Sequence, residues 1–174
     1  MPYQYPSILA GTPLTASVFA AIETDYVFKS ANATPRTNNT PVADPDLQFT
    51  VVSGGVYLAE FNLQYAGIAA AGFSTTWSVP SPGTGNRSVL GPASNAAQSN
   101  ADAISMKCSV FSMGAACIYG CARNNVGAFQ FAYESCLFTA VANGSLILNW
   151  AQASTNATGT ILGANSWGRM VQLA

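Results

Sequence analysis

The chain has 174 residues, enough for one ordinary domain or for one domain with a short arm. Its net charge of −1 and the lack of a basic cluster exclude the electrostatic footprint of a nucleic-acid-binding protein, and no apolar run approaches the ~18 residues of a membrane-spanning helix. Charged residues make up only 7% of the chain, against about 25% in a typical soluble domain, so few charges oppose the association of one copy with another.

Residues 1–46 are predicted to form an arm, a short helix and a linker. From residue 13 to about residue 29, apolar side chains recur at helical spacing: Leu14, Val18, Phe19, Ile22 and Tyr26. We expect this stripe to dock either on the protein's own domain or on a partner in a particle, so its residues are candidates for anchoring. Residues 1–11 lack the basic and apolar regions of a secretory signal, so we expect the chain to act inside the cell that makes it or to leave in a particle released by lysis.

Residues 47–174 are predicted to form an all-β domain, a jelly-roll β-sandwich. Apolar and polar side chains alternate over residues 57–65, which is the pattern of a half-buried strand. Further short strands follow at spacings near ten residues, as in sandwiches and barrels. The Gly-, Ser- and Asn-rich residues 83–102 are expected to form a long surface loop, and Asn143-Gly144 is expected to form the turn of a hairpin.

Residue types that perform catalysis or bind metals are scarce. Histidine is absent, which removes the commonest general base and the commonest metal ligand. Glu60 and Glu134 are one acid/base couple to weigh, but Glu60 is expected on the polar face of its strand, where a solvated or interface role is favoured. Asp44 and Asp46 flank Pro45 and fit a turn. We therefore predict no enzymatic activity, no cofactor and no bound metal.

The four cysteines are predicted to be reduced and buried as small hydrophobic side chains: Cys108, Cys117, Cys121 and Cys136. A chain of this length without a secretory signal argues against a disulfide framework. Zinc sites generally use closer cysteine pairs or histidines, so the spacing does not favour one.

Aromatic side chains on the predicted strands are candidates for either the core or a subunit interface. These residues are Tyr57, Phe61, Tyr65, Trp150 and Trp167. Large aromatic side chains dominate the energetics of β-cores and are also enriched at interfaces, so composition alone leaves both roles open.

Several stretches together resemble a known group of proteins: AGTPLTASVFAAIETDYV (10–27), DPDLQFTVVSGGVYLAEFNLQYAG (44–67), FTAVANGSLILNWAQASTNATGTILGANSW (138–167) and GRMVQLA (168–174). The chain resembles small virion proteins of tailed phages that infect actinobacteria, which are head-decoration or minor tail proteins. These proteins carry a jelly roll similar to the trimeric C1q and tumour-necrosis-factor domains. The resemblance implies a homotrimer within a virion that is assembled in the host cytoplasm.

Two functions follow from this resemblance as expectations. The first is a trimeric capsid decoration protein that binds the major capsid protein and stabilises the head. The alternative is a minor tail or receptor-binding protein, in which residues 83–102 and exposed aromatic side chains contact a host glycan. Neither function requires nucleic acid or membrane insertion.

Overall fold

A computed structural model describes residues 11, 13, 15, 23–80, 84–94 and 105–173, and among these the regular structure consists of β-strands. The strands are β1 Asp25–Phe28, β2 Val42–Val51, β3 Val56–Gly67, β4 Phe73–Ser78, β5 Thr84–Pro92, β6 Met106–Ser112, β7 Cys117–Tyr119, β8 Asn125–Thr139, β9 Gly144–Ala151, β10 Ile161–Leu162 and β11 Trp167–Gln172. No helix lies within the described ranges, so none there is long and apolar enough to span a membrane.

The strands form two antiparallel sheets. One has the order β1-β11-β3-β8-β5-β6, with β10 also paired to β3, and the other has the order β2-β9-β4-β7. Without β10 and the β5–β6 pair, the strands follow the orders 1-11-3-8 and 2-9-4-7, in which most chain-consecutive strands lie in different sheets. This order is that of an eight-stranded jelly roll built from two Greek keys. The all-β jelly-roll prediction is confirmed.

The core lies between the two sheets and is rich in aromatic side chains. Phe61 on β3 meets Trp77 on β4 edge to face, with ring centroids 4.9 Å apart, and Tyr65 stacks on Phe73 at 4.3 Å. Trp150 on β9 is fully buried beside them. Strand alternation produces this arrangement, because every second side chain of β3 points between the sheets and the intervening ones point outward.

The helix prediction is wrong for the last residues of the predicted stripe. Asp25–Phe28 forms β1, which pairs with β11, so Tyr26 lies on an edge strand. The sequence Asp-Tyr-Val-Phe has aromatic and β-branched residues, which favour strands, and the pairing with β11 decides between the two periodicities. The other residues of the stripe lie outside the described residues: Leu14, Val18, Phe19 and Ile22.

Two loop predictions are also wrong. Thr84–Pro92, within the expected surface loop, forms β5 in the seven-stranded sheet. Residue 83 and residues 95–102 of that expected loop lie outside the described residues. Asn143-Gly144 does not close a hairpin, because β8 and β9 on either side of it belong to different sheets. The segment instead crosses from one sheet to the other, and the Asn143 side chain accepts a hydrogen bond from the Ser53 N–H at 2.8 Å.

Candidate assembly surface

The outward face of the seven-stranded sheet, which we call the outer face, carries many exposed apolar side chains among polar ones. Cross-strand registers place its residues in rows: Phe28, Trp167, Asn62, Tyr133, Leu90 and Cys108 form one, and Val171, Leu58, Leu137 and Asn86 form another. Phe28 is 67% exposed and Leu137 is 57% exposed. Within the described residues, exposed large hydrophobic side chains of this face come from four of its strands: Tyr26, Phe28, Leu90, Met106, Val110, Phe131 and Leu137.

The outward face of the four-stranded sheet has a different chemistry. Its cross-strand rows consist mostly of neutral polar side chains: Gln48, Thr50, Thr76, Ser78, Ser145 and Asn149. Asn149 donates a hydrogen bond to the Ser78 hydroxyl at 2.7 Å, so part of this polarity is satisfied within the sheet. The two outward faces of one sandwich therefore differ, and the apolar one is the candidate for burial against another molecule.

Glu60 and Arg169 lie opposite each other near the middle of the outer face. The Arg169 Nε–H and the Tyr133 hydroxyl both donate to the Glu60 carboxylate. The hydrogen bond from Arg169 holds the pKa of Glu60 below its usual value, and burial and Glu60 raise the pKa of Tyr133. Glu60 and Arg169 are the charged side chains among the described residues of this face, and their opposite charges neutralise each other.

The aromatic candidates divide between the core and this face. Tyr57, Phe61, Tyr65 and Trp150 are buried between the sheets. Trp167 lies on the outer face, partly exposed, paired across strands with Phe28 on one side and Asn62 on the other. The sequence pattern did not identify Phe28, Phe131 and Leu137 as members of the same surface, because Phe28 lies on β1 and the other two lie on β8, far away in the chain.

A buried polar cluster joins the two sheets behind the outer face. Arg87 on β5 and Glu134 on β8 form an ion pair in which both side chains are inaccessible to solvent. Glu134 also accepts hydrogen bonds from the Thr75 hydroxyl and, at 2.9 Å, from the Tyr119 hydroxyl, both on the four-stranded sheet. Burial, and then the neighbouring carboxylate, raise the pKa of Tyr119. Glu134 therefore binds Arg87 within its own sheet and Thr75 and Tyr119 on the other sheet. These contacts hold the two sheets together.

Glu60 and Glu134 do not form an acid/base couple. Glu60 is paired in register with Ser135, the next residue after Glu134, so the two glutamate side chains point to opposite faces of the same sheet. One lies on the outer face and the other in the core. Hydrolysis between two facing carboxylates therefore has no geometric basis at these positions.

A second buried ion pair lies at the junction of β1 and β2. The Lys29 ammonium contacts Asp44 at 3.0 Å and Asp46 at 2.6 Å, and the Trp150 indole N–H donates to Asp44 at 3.0 Å. The Asp46 N–H donates to the Asp44 carboxylate at 3.0 Å, which is the local bond of an Asx turn. The turn role expected for these two aspartates is thus combined with a buried charge pair.

A cleft of about 570 Å³ opens beside this pair, lined by residues 29–36 and 44–46. The guanidinium of Arg36 lies 3.8 Å from the centre of the Trp150 ring and donates to the Val42 carbonyl at 2.8 Å. Since the charged groups around the cleft are already bound to protein atoms, the cleft offers no unpaired charged group to a ligand.

The cysteines are free thiols, and three of them are buried: Cys117, Cys121 and Cys136. Burial raises the pKa of Cys121 to about 12 and that of Cys136 to about 11. The prediction of burial is wrong for Cys108, which is exposed because its register opposite Leu90 places its side chain on the outer face. Within the described ranges, no group of three or more cysteine, aspartate or glutamate residues is placed to hold a metal ion.

Comparison with known proteins shows a structural likeness. No family model matches the chain, and no curated protein matches it. Among solved structures, the chain is similar to Eiger TNF from S. frugiperda, with 13% sequence identity, 88% of this chain and 94% of that chain covered, and a TM-score of 0.43. The jelly-roll assignment is based on the strand order of the two sheets.

Proposed function

We propose that this protein is a non-enzymatic structural protein of a phage virion, which forms a homotrimer through its outer face and decorates the capsid. The observation that carries the proposal is the chemical difference between the two outward faces of the sandwich. Many exposed large hydrophobic side chains on one face of a sheet are uncommon on a monomer and are typical of an interface.

The outer face is large enough for a stable interface. Its six side-by-side strands at ~4.8 Å spacing are about 29 Å wide, and about seven residues at ~3.3 Å give a height of about 23 Å. The flat area is therefore about 650 Å², and projecting side chains raise the accessible area toward the ~800 Å² per partner of a standard interface.

The charges on this face are compatible with self-association. Glu60 and Arg169 bind each other, so two copies that meet through the outer face do not bring unpaired like charges together. The low charge of the whole chain adds little repulsion. The trimeric state and the virion location are supported by the resemblance to phage decoration and minor tail proteins, and a closed ring satisfies an apolar patch on every copy.

A charge placed in the centre of the outer face tests the proposal. Leu137→Asp is expected to convert the oligomer to a monomer of about 18.0 kDa in multi-angle light scattering. The matched control is Thr50→Asp, which places the same charge on an exposed residue of the opposite face and is expected to leave the oligomer intact. Circular dichroism should show both variants folded. An unchanged mass for folded Leu137→Asp would contradict assembly through this face.

The location in the particle is a separate question, which immunogold labelling of purified virions addresses. Label over the heads is expected for a decoration protein bound to the major capsid protein. Label confined to the tails would contradict that role and favour the alternative, a minor tail or receptor-binding protein. In that alternative the exposed rings of Tyr26 and Phe28 offer stacking surfaces for a host glycan, and glycan-array binding that Phe28→Ala abolishes would support it.

A further inference from the structure

The four edges of the two sheets differ in how they are protected against strand addition. An exposed edge presents unpaired N–H and C=O groups that another chain can pair with, and proteins usually block it. Strand β1 has four residues and β7 has three. Strand β2 contains Pro45 and a register shift between Ala43 and Gln48. The Arg36 guanidinium also donates a hydrogen bond to the Val42 carbonyl of this strand.

Strand β6 has none of these devices among the described residues. It has seven residues, contains no proline or glycine, and pairs with β5 without a register shift from Asn86↔Ser112 to Pro92↔Met106. Its one charged residue, Lys107, does not guard the edge. The Lys107 ammonium donates to the Ile118 carbonyl and lies 5.8 Å from the centre of the Tyr119 ring, so it is turned toward the other sheet.

The phase of the β5–β6 ladder identifies the free backbone groups. The Ala93 N–H donates to Ser105 O at 2.8 Å, and the Met113 N–H donates to Gly85 O at 3.2 Å, at the two ends of the ladder. Antiparallel ladders alternate between bonded and non-bonded pairs. Odd-numbered residues of β6 therefore direct their N–H and C=O groups toward β5. The even-numbered ones, Met106, Cys108, Val110 and Ser112, direct theirs to the open edge, where the Ser112 C=O already accepts a hydrogen bond from the Ala115 N–H at 3.1 Å.

We infer that β6 is the edge through which a second copy of this chain adds, by antiparallel pairing of β6 with β6 about a twofold axis at Ser109. This register pairs all four outward-directed residues: Cys108 lies opposite Val110 of the second copy, and Met106 lies opposite Ser112. The four pairs bring together four outward N–H groups from each copy and exchange about six backbone hydrogen bonds with free acceptors, since the Ser112 C=O of each copy is already bound to the Ala115 N–H. A twofold axis at Cys108 or at Val110 would pair only three of these residues on each copy.

The side chains of β6 are also self-complementary in this register. Lys107 lies opposite Phe111 of the second copy, so no like charges meet across the new pair. The small Ser109 residues face each other at the axis, and both Cys108 and Val110 are exposed and able to pack side by side. The occupant is therefore a second copy, and the pairing joins the two seven-stranded sheets into one.

This contact is distinct from the outer-face contact proposed above. Edge pairing buries little surface, so we expect it to be weak in dilute solution and to join copies that are concentrated, as on a particle surface. The two contacts can be tested separately, because the edge uses backbone groups of β6 whereas the outer-face test places a charge on β8.

A disulfide trap tests the register. In the proposed pairing, the Cα atoms of residues 108 and 110 of the two copies are about 5.5 Å apart, within the range that a disulfide bridges. Oxidation of Val110→Cys at high protein concentration is expected to give covalent dimers, linked between Cys108 and the introduced thiol in peptide mass spectra. The matched control is Val110→Cys with Cys108→Ser, which is expected to stay unlinked because equivalent positions are about 8 Å apart.

The wild-type chain is expected to stay unlinked for the same reason. Linkage of wild-type chains through Cys108, or no linkage in Val110→Cys, would overturn the proposed pairing. Particles in which the introduced thiol links to a different protein would show that the edge binds another partner and would also overturn it.

A backbone variant provides the second test. Val110→Pro removes an N–H that points to the open edge and leaves the bonds to β5 in place, whereas Val110→Ala keeps the N–H. Concentration-dependent species larger than the dilute oligomer are expected to disappear in Val110→Pro and to persist in Val110→Ala. Their persistence in both variants would overturn the edge contact. Leu137→Asp is expected to leave the disulfide trap functional, so failure of the outer-face proposal and failure of this inference are distinguishable.

Discussion

Replacement of Glu134 by glutamine should destabilise the fold strongly, because it removes one charge of a fully buried pair without changing the shape of the side chain. Arg87 and Glu134 are both inaccessible to solvent. With Glu134→Gln, the Arg87 guanidinium remains buried without a counter-charge, and an amide group faces the hydroxyl donors of Thr75 and Tyr119. Removal of one partner of a buried ion pair costs about 3–5 kcal/mol, a large part of the ~5–15 kcal/mol stability of a typical domain.

Urea unfolding at pH 7, followed by tryptophan fluorescence, measures this cost. With a denaturant dependence of about 2 kcal/mol/M, a loss of about 4 kcal/mol lowers the unfolding midpoint by about 2 M. Glu60→Gln is the matched control, because it makes the same chemical change in the Glu60–Arg169 pair, in which Arg169 is half exposed. We expect a clearly smaller shift for it. Equal shifts for the two variants, or a loss below about 1 kcal/mol for Glu134→Gln, would refute the reasoning.

Two further predictions concern titratable groups. A thiol reagent at pH 8 should leave Cys117, Cys121 and Cys136 unmodified in the native protein and modify all four cysteines after denaturation, since burial raises the pKa of Cys121 to about 12 and that of Cys136 to about 11; rapid modification of any of these three native thiols would contradict the burial. The lowered pKa of Glu60 stabilises the folded state above its unfolded pKa of about 4.3, and this contribution is lost as the pH falls through the lower folded value. The difference in unfolding free energy between wild type and Glu60→Gln should therefore shrink in acid, and a difference independent of pH would count against the Glu60–Arg169 bond.

The sequence predicted the buried residues of the core better than it predicted the strands of the seven-stranded sheet. Strand β3 alternates so regularly that its buried residues, such as Phe61 and Tyr65, could be identified without a structure. Strand β5 was missed because its inward positions include Arg87, and a pattern analysis places arginine in solvent. The burial of Arg87 is explained by its ion pair with Glu134, which lies 47 residues away in the chain.

The outer face was beyond the reach of pattern analysis for a similar reason. The outward residues of β3 include Glu60, Asn62 and Gln64, which indicated a solvated sheet. The apolar residues Leu137 and Val110 of the same face lie on β8 and β6, each of which has apolar side chains on both faces, so alternation did not show which side chains point outward. Cross-strand register, which long-range pairing sets, brings these residues into one surface.

The mass of the wild-type protein in dilute solution tests most directly whether the outer face is an assembly surface. Sedimentation equilibrium at micromolar concentration should give a species of about three times the 18.0 kDa chain mass. A single species of 18.0 kDa across this concentration range would show that the apolar outer face does not bind copies of the chain, and would contradict the proposed trimer.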